Sequence, residues 1–240
     1  MDGIYEKQVY SPAEWAVFLT AAEIHSFYGF PAGQENPTKE EILPALRHLS
    51  ERGILSSDGV RFSLGEEAGQ MAEHLRRPRR ILVIYARDAV IPVCCCYRRE
   101  RLLLCERGNT DRSIKLAFLD ETQWKLVLEE EFLDTIPEIS GETDEWAGTG
   151  PELSSREEGI LDLPLWSCMN REDVLFLGHW FRPGEESRPG RILVREQPLV
   201  LTVESKMPDG TRKRYPYRKK ELRDQMLSVL ADKIQTGGVL

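Results

Sequence analysis

The most reactive side chains of this sequence lie between residues 93 and 108. In VCCCYRRERLLLCERG, the consecutive residues Cys94, Cys95 and Cys96 are followed nine positions later by Cys105, with arginines between them. Because side chains alternate across a strand, Cys94 and Cys96 share one face and Cys95 points to the other. Adjacent strand cysteines do not converge on one point, as the four ligands of a tetrahedral zinc ion must. We interpret the segment as a hairpin with packed thiols; redox sensing and incidental metal binding stay open as alternatives.

A turn centred on residues 99–100 would close this hairpin and place Cys94 roughly opposite Cys105. The turn would then carry a cluster of arginines, and the second half of the chain is rich in aromatic residues. Arginine and tryptophan are enriched among the residues that dominate binding energy at protein interfaces. We therefore predict six candidate partner-binding residues: Arg98, Arg99, Arg101, Trp166, Phe176 and Trp180. The alternative is that the aromatic residues form core and the arginines are only solvated.

The remaining titratable residues show no enzyme motif. The four histidines are isolated, and none belongs to an HExxH pattern. The sequence contains no GxSxG, no P-loop and no GxGxxG. We therefore predict a protein that is not an enzyme, with no catalytic residues, no metal site and no cofactor. A cysteine enzyme is the remaining catalytic alternative, and it would require a thiol of depressed pKa.

Composition limits the classes of partner. The chain has 240 residues, a formal net charge of −8 and five cysteines. The net charge disfavours nucleic acid, the odd cysteine count differs from a secreted disulfide framework, and no apolar run is long enough to span a membrane. The polar N-terminus does not read as a signal peptide, so we expect a cytosolic protein without membrane insertion. Its oligomeric state is left open.

Charge is distributed unevenly along the chain. Residues 191–223 contain ten Lys or Arg against four acids, whereas residues 137–159 contain seven acids and one Arg. This asymmetry indicates either an intramolecular or partner-facing electrostatic role or a solvated surface.

Residues 1–79 are predicted to form a winged-helix-like module. The stretches 11–14, 38–41 and 63–66 each have Ser or Thr followed three residues later by Glu, which predicts three helix starts. A hairpin around Asp58-Gly59 precedes the third helix. The module contains eight basic and twelve acidic residues, so it lacks the clustered cations that phosphate contacts need. A winged-helix transcription regulator with a ligand- or partner-sensing β domain is nevertheless the main alternative function.

The rest of the chain reads as strands followed by helices. Residues 80–135 predict four short strands of an antiparallel meander and then a helix that starts near Asp120. Residues 136–159 read as an acidic flexible linker. Residues 160–240 predict a second half, in which 171–181 is a strand or a short helix, 191–205 and 211–217 are strands, and 219–234 is an amphipathic helix.

The predicted fold is therefore α+β, a single domain over residues 1–240. A winged-helix-like helical module packs on a central antiparallel β-sheet, an amphipathic helix closes the chain, and the two halves show an approximate pseudo-symmetry. In each half a meander is followed by a helix.

This order of elements resembles a known bacterial family. LSERGIL at 49–55, EHLRRP at 73–78, the turn PDGTRKRYPY at 208–217 and the terminal helix ELRDQMLSVL at 221–230 look like the EspG family, the chaperones associated with type VII (ESX) secretion. The resemblance covers most of the chain as topology. It implies a central antiparallel sheet with helical bundles and an approximate internal twofold.

The resemblance also implies a function. Family members bind one end of a helical-hairpin secretion substrate and keep it soluble and monomeric until export. The turn at 98–101 occupies the position of a sheet loop that helps to grip substrate in the family, although no residue motif matches there. The sequence departs from the family in the second helical bundle, where it has the acidic linker instead. We expect a helical secretion substrate or another protein as the partner.

Overall fold

The computed structural model describes residues 5–25, 37–87, 93–98, 101–108, 112–137, 159–197 and 200–230. The chain divides into two compact units. Unit 1 comprises Met1–Ile81 and Val93–Asp120, and unit 2 comprises Leu82–Pro92 and Glu121–Leu240. Both units combine helices with antiparallel strands, so the predicted α+β class is confirmed. No helix in the described ranges has the length and apolar character needed to cross a bilayer.

The N-terminal part of unit 1 contains three helices and a small hairpin: α1 (Pro12–Ala21), α2 (Lys39–Glu51), β2 (Leu55–Ser57), β3 (Phe62–Leu64) and α3 (Glu66–Arg76). The first two helix starts are confirmed. Ser11 Oγ accepts a hydrogen bond from the Glu14 N–H, and the Glu14 carboxylate accepts one from the Ser11 N–H. At the start of α2 the Glu41 carboxylate accepts hydrogen bonds from the Thr38 N–H and from the Thr38 hydroxyl. These capping boxes satisfy N–H groups that have no partner within the helix.

The predicted capping box at 63–66 is wrong. Gly65 caps α3, and Ser63 lies in β3. The reason is a close backbone approach, because a Cβ on Gly65 would lie 2.4 Å from the Gly53 carbonyl oxygen. A glycine is therefore required where the hairpin meets the helix.

The hairpin between α2 and α3 is confirmed. Leu55 pairs with Leu64 and Ser57 with Phe62. The Asp58 carboxylate accepts hydrogen bonds from the backbone N–H groups of the next residues of the loop, which rigidifies it.

An aromatic cluster forms the centre of these helices. The rings of Trp15 and Phe18 in α1 stack at a centroid distance of 5.3 Å, and Tyr10 packs against both. All three side chains are buried. Burial of this aromatic surface stabilises the packing of these elements.

The predicted four strands between residues 80 and 119 are confirmed: β4 (Arg80–Ala86), β5 (Val93–Arg98), β6 (Arg101–Arg107) and β7 (Ile114–Leu119). Unit 1 contains β5, β6 and β7, together with β1 (Gln8–Tyr10), which the sequence did not indicate. Their order is β1-β7-β6-β5, and the described registers are antiparallel. The predicted alignment of Cys94 with Cys105 is confirmed.

Unit 2 contains most of β4 and the four C-terminal strands: β8 (Val174–Phe181), β9 (Gly190–Gln197), β10 (Val200–Lys206) and β11 (Arg212–Pro216). Their order is β4-β8-β9-β10-β11. The sequence left a strand and a short helix open for residues 171–181, and the structure has a strand there. The single strand predicted over 191–205 is wrong, since β9 and β10 form an antiparallel pair in which Gln197 lies opposite Val200. Proline cannot donate to a strand ladder, and Pro198 lies at this break.

The helices of unit 2 follow the strands. They are α4 (Glu121–Val127), a π-helical segment (Leu128–Leu133), α5 (Gly159–Asp162), α6 (Leu165–Met169) and α7 (Lys219–Leu230). The single α-helix predicted from Asp120 onward is therefore corrected, since its second half is π-helical. The Asp134 N–H donates to the Glu129 carbonyl oxygen, five residues earlier. The acidic linker predicted over 136–159 lies almost entirely outside the described residues.

The core of unit 2 lies on β8 and β9. α7 packs against β8 at Gly178, where a Cβ would approach the Met226 Cε at 2.9 Å. A second cluster joins β8 and β9 to α5 and α6: Leu161, Cys168, Met169, Val174, Leu177 and Leu193.

Candidate partner-binding site

The arginine-bearing turn between β5 and β6 is the candidate site that the sequence analysis singled out. Arg98 and Arg101 form the last paired position of the two strands. Arg99 lies outside the described residues. The register fixed by Cys94 and Cys105 therefore brings two of the three predicted arginines to one end of the hairpin.

The described contacts of the Arg98 guanidinium are with other groups of the protein. Its Nη1 lies 3.0 Å from the Arg77 carbonyl oxygen and 3.4 Å from the Glu73 carbonyl oxygen, and both oxygens accept hydrogen bonds from it. It also lies 3.5 Å from the Glu73 carboxylate, and its side chain is 19% exposed. Arg98 thus fastens the end of β5 to the C-terminal turn of α3.

Arg101 is exposed and oriented by neutral groups. Its guanidinium lies 4.1 Å from the centroid of the Phe118 ring, within the range of a cation–π contact. Its Nη1 donates to the Gln70 Oε1 at 3.2 Å. An arginine carries five N–H donors in a planar fork, which matches a carboxylate or a pair of carbonyl oxygens. Arg101 therefore presents an oriented cation at the surface of unit 1.

The predicted aromatic residues belong to unit 2. Phe176 and Trp180 lie in β8, and both are buried. Trp180 packs over Gly190, where a Cβ would lie 2.1 Å from a ring carbon. These two side chains serve as packing and do not form an exposed surface. The backbone of Trp166 lies in α6.

The thiols of the cysteine hairpin are buried. Burial raises the pKa of Cys95 and of Cys105, and the hydrogen bond with Cys96, together with burial, raises that of Cys94. The hydrogen bonds from Cys105 and Cys94 lower the pKa of Cys96. Within the described ranges, His, Cys, Asp and Glu side chains do not form a group of three that could hold a metal ion. The burial of these thiols agrees with the packing interpretation, whereas the lowered pKa of Cys96 is the property that the cysteine-enzyme alternative requires.

A second polar cluster, which the sequence analysis missed, centres on Arg191 in β9. Its guanidinium is buried and donates to the carbonyl oxygens of Leu161 and Leu163 and to the His179 Nδ1, the last at 3.1 Å. Burial, and then the charge of Arg191, lowers the pKa of His179 to about 4. Cys168 lies 3.9 Å from Arg191, and burial raises its pKa. The cluster combines Cys, His and Arg. The hydrogen bonds of Arg191 hold the Leu161 end of α5, and burial is the cause that raises the pKa of the Cys168 thiol.

The basic stretch 191–223 also makes internal ion pairs. Arg195 donates to the Glu204 carboxylate at 2.9 Å and to the Asp173 carboxylate, and Arg214 lies 3.6 Å from Glu204. Glu204 is 0% exposed, so its charge depends on these partners. The uneven charge was compatible with an intramolecular role, a partner-facing role or a solvated surface. These residues pair with acids of the same chain, so their role is intramolecular.

An apolar cavity of about 630 Å³ lies in unit 1 among α1, α2 and the β2–β3 hairpin. Its lining includes Val17 and Ala21 of α1, Ile42 and Leu46 of α2, and Phe62, which is 48% exposed. The sequence predicts the two helices and the hairpin, but it does not predict the cavity between them.

Comparison with known proteins was made by sequence and by structure. No protein-family model and no curated protein sequence match this chain. By structure, the chain is similar to a chaperone of type VII secretion. That protein is EspG5 of Mycobacterium tuberculosis, solved in complex with a PE25–PPE41 dimer. The TM-score is 0.54 at 10% sequence identity, over 98% of this chain and 99% of that chain. At this identity the likeness concerns the fold, and it supports the EspG-like architecture expected from the sequence.

Proposed function

We propose that this chain is a cytosolic, non-catalytic binding protein, a chaperone or adaptor that caps a helical-hairpin substrate of a type VII secretion system. The observation that carries the proposal is the structural likeness to EspG5, a chaperone solved with a bound protein dimer, over nearly the whole of both chains. The proposal includes the finer assignments of a winged-helix-like N-terminal module and of two pseudo-symmetric halves. They are supported by the order helix, helix, hairpin, helix in unit 1 and by the strands followed by a helix in each half.

We assign the partner contact to the β5–β6 turn. Arg101 is the described arginine of this turn that is both exposed and held by neutral neighbours, Gln70 and Phe118. The last carbonyl groups of a helix have no partner within the helix and carry a partial negative charge. A guanidinium fork fits these carbonyls, or an acidic side chain beside them. The chemistry of Arg101 therefore suits the end of a helical partner.

The experiment is co-expression with the helical-hairpin protein encoded nearest to this gene. We expect a complex that survives size-exclusion chromatography, and a dissociation constant that Arg101→Ser raises about tenfold. Arg47→Ser is the matched control, because Arg47 is an exposed arginine of α2 whose Glu51 pair is also exposed. A chain that stays alone with every helical-hairpin candidate would contradict the proposed function. Equal weakening by the two substitutions would contradict the assignment to the turn.

A further inference from the structure

His74 links α3 to the arginine-bearing turn. It is 6% exposed, and both of its ring nitrogens meet backbone carbonyl oxygens. Nδ1 lies 2.9 Å from the Gln70 carbonyl oxygen, and Nε2 lies 3.0 Å from the Arg98 carbonyl oxygen. The Phe118 ring packs against the imidazole at a centroid distance of 4.9 Å and an angle of 71°. The imidazole is therefore held on three sides.

The two carbonyl contacts determine how many protons the His74 imidazole must carry. A carbonyl oxygen only accepts hydrogen bonds, so each ring nitrogen must carry a proton to bond to one. A neutral imidazole has one N–H group, whereas an imidazolium has two. In the neutral form one nitrogen directs a lone pair at a carbonyl oxygen, and that contact is repulsive. Only the imidazolium satisfies both Gln70 and Arg98.

Within the part of the chain that the structure describes, the titratable groups around His74 come from three elements, and some are already paired. They are Glu73 from α3, Cys96 and Arg98 from β5, and Arg101 from β6. β3 also packs against α3, and its residues Phe62–Leu64 carry no titratable group. The Arg98 guanidinium is paired with Glu73, and that of Arg101 lies over Phe118. Glu73 thus offsets the charge of Arg98.

We propose that His74 is a protonation-dependent clamp that fastens the Arg98 end of β5, which pairs with the exposed Arg101, to α3. Its role in partner binding rests on the proposed function. Histidine changes its charge between about pH 5 and pH 8. The clamp is therefore complete at the acid end of this range, and it loses one of its two hydrogen bonds as pH rises. Acidification tightens the attachment of the Arg98 end of β5 to α3, and a higher pH loosens it.

The test uses the free full-length chain without a partner. The imidazole nitrogens are observed by ¹⁵N NMR at pH 5 and pH 8, with His74→Gln identifying the His74 signals. We expect both nitrogens of His74 to be protonated at pH 5. We also expect amide hydrogen exchange in the α3 and β5 segments, corrected for intrinsic rates, to be about tenfold slower at pH 5 than at pH 8. A neutral His74 at pH 5 would overturn the proposal.

The variants separate the clamp from other effects of pH. Glutamine keeps a donor group and does not titrate, so His74→Gln should abolish the pH dependence of exchange in these segments. His25→Gln, at an exposed histidine of the same unit, should leave it unchanged. An unaltered pH dependence in His74→Gln would overturn the clamp, whereas failure to find a helical partner would overturn only the proposed function. If both hold, partner affinity should be higher at pH 5.5 than at pH 8 in the wild type and equal at the two values in His74→Gln.

Discussion

Acidification should destabilise unit 2 through His179. Burial, and then the charge of Arg191, lowers the pKa of His179 from its ordinary 6.5 to about 4. The Nδ1 of His179 accepts a hydrogen bond from the Arg191 Nε, so this nitrogen must be unprotonated in the folded protein. Protonation would remove the acceptor and place a second buried cation beside Arg191.

The size of the effect follows from the two pKa values. Between pH 6.5 and pH 4 the unfolded chain binds a proton at this position and the folded chain does not, so stability falls as pH falls. The limiting slope is about 1.4 kcal/mol per pH unit. Between pH 7 and pH 5 the folded state should lose about 2 kcal/mol through this histidine alone.

The assay is urea unfolding at pH 7, 6 and 5 for the wild type and for His179→Gln. The glutamine oxygen can accept from Arg191 and does not titrate, so the variant should lose about 2 kcal/mol less than the wild type between pH 7 and pH 5. His25→Gln, at an exposed site, should follow the wild type. Parallel pH profiles for the wild type and His179→Gln would refute the reasoning, because they would mean that His179 is protonated equally in both states.

Three further predictions concern packing and buried charge. Arg195→Met should lower the free energy of unfolding by about 3–5 kcal/mol, because the buried Glu204 carboxylate loses its hydrogen-bonded partner and keeps only the more distant Arg214 among its described partners. Adding Glu204→Leu should restore most of that loss, and no restoration would contradict the pairing. Gly190→Ala should lower the free energy of unfolding by about 1–3 kcal/mol, because the added Cβ clashes with Trp180. Gly69→Ala, whose Cβ would lie in open space on α3, should raise it by up to about 1 kcal/mol in the same urea assay. Iodoacetamide should modify the five buried thiols roughly a hundredfold more slowly in the native protein than in urea, and one fast native thiol would refute the packing interpretation.

Features decided by neighbouring residues could be predicted from the sequence. The capping boxes at Ser11 and Thr38 and the hairpin at Asp58-Gly59 depend on hydrogen bonds within a few residues. The alignment of Cys94 with Cys105 follows once the turn between them is placed. In each case the local chemistry leaves few alternatives, so pattern and structure agree.

Features decided by distant residues could not be predicted in this way. Gly65 caps α3 because the Gly53 carbonyl approaches it, and nothing in the Ser63 pattern shows that approach. β1 is too short to show a period, and its pairing with β7 depends on residues about a hundred positions away. The Arg191 cluster likewise joins β9 to Leu161 and His179. The sequence shows where the arginines are, but it does not show which groups of the folded protein they contact.

The contacts of the arginines show which of them is available to bind a partner, and their positions in the sequence do not. Arg98 contacts a carboxylate and two carbonyl oxygens, and Arg195 contacts two carboxylates, so both charges are offset within the protein. The described contacts of Arg101 are to an amide and an aromatic ring, which orient the guanidinium without neutralising it. An uncompensated surface cation acts mainly on the rate of association with an acidic partner.

Arg101→Ser should therefore lower the association rate with the helical partner more than it raises the dissociation rate. It should also weaken the dependence of that rate on salt between about 50 and 500 mM, where screening shortens to a few ångströms. Stopped-flow mixing at several ionic strengths measures both effects, with Arg47→Ser as the control. If Arg101→Ser leaves the salt dependence of the association rate unchanged, the cation that attracts the partner lies elsewhere. Salt screens an attraction between charges, so removing the attracting charge must change how the association rate depends on salt.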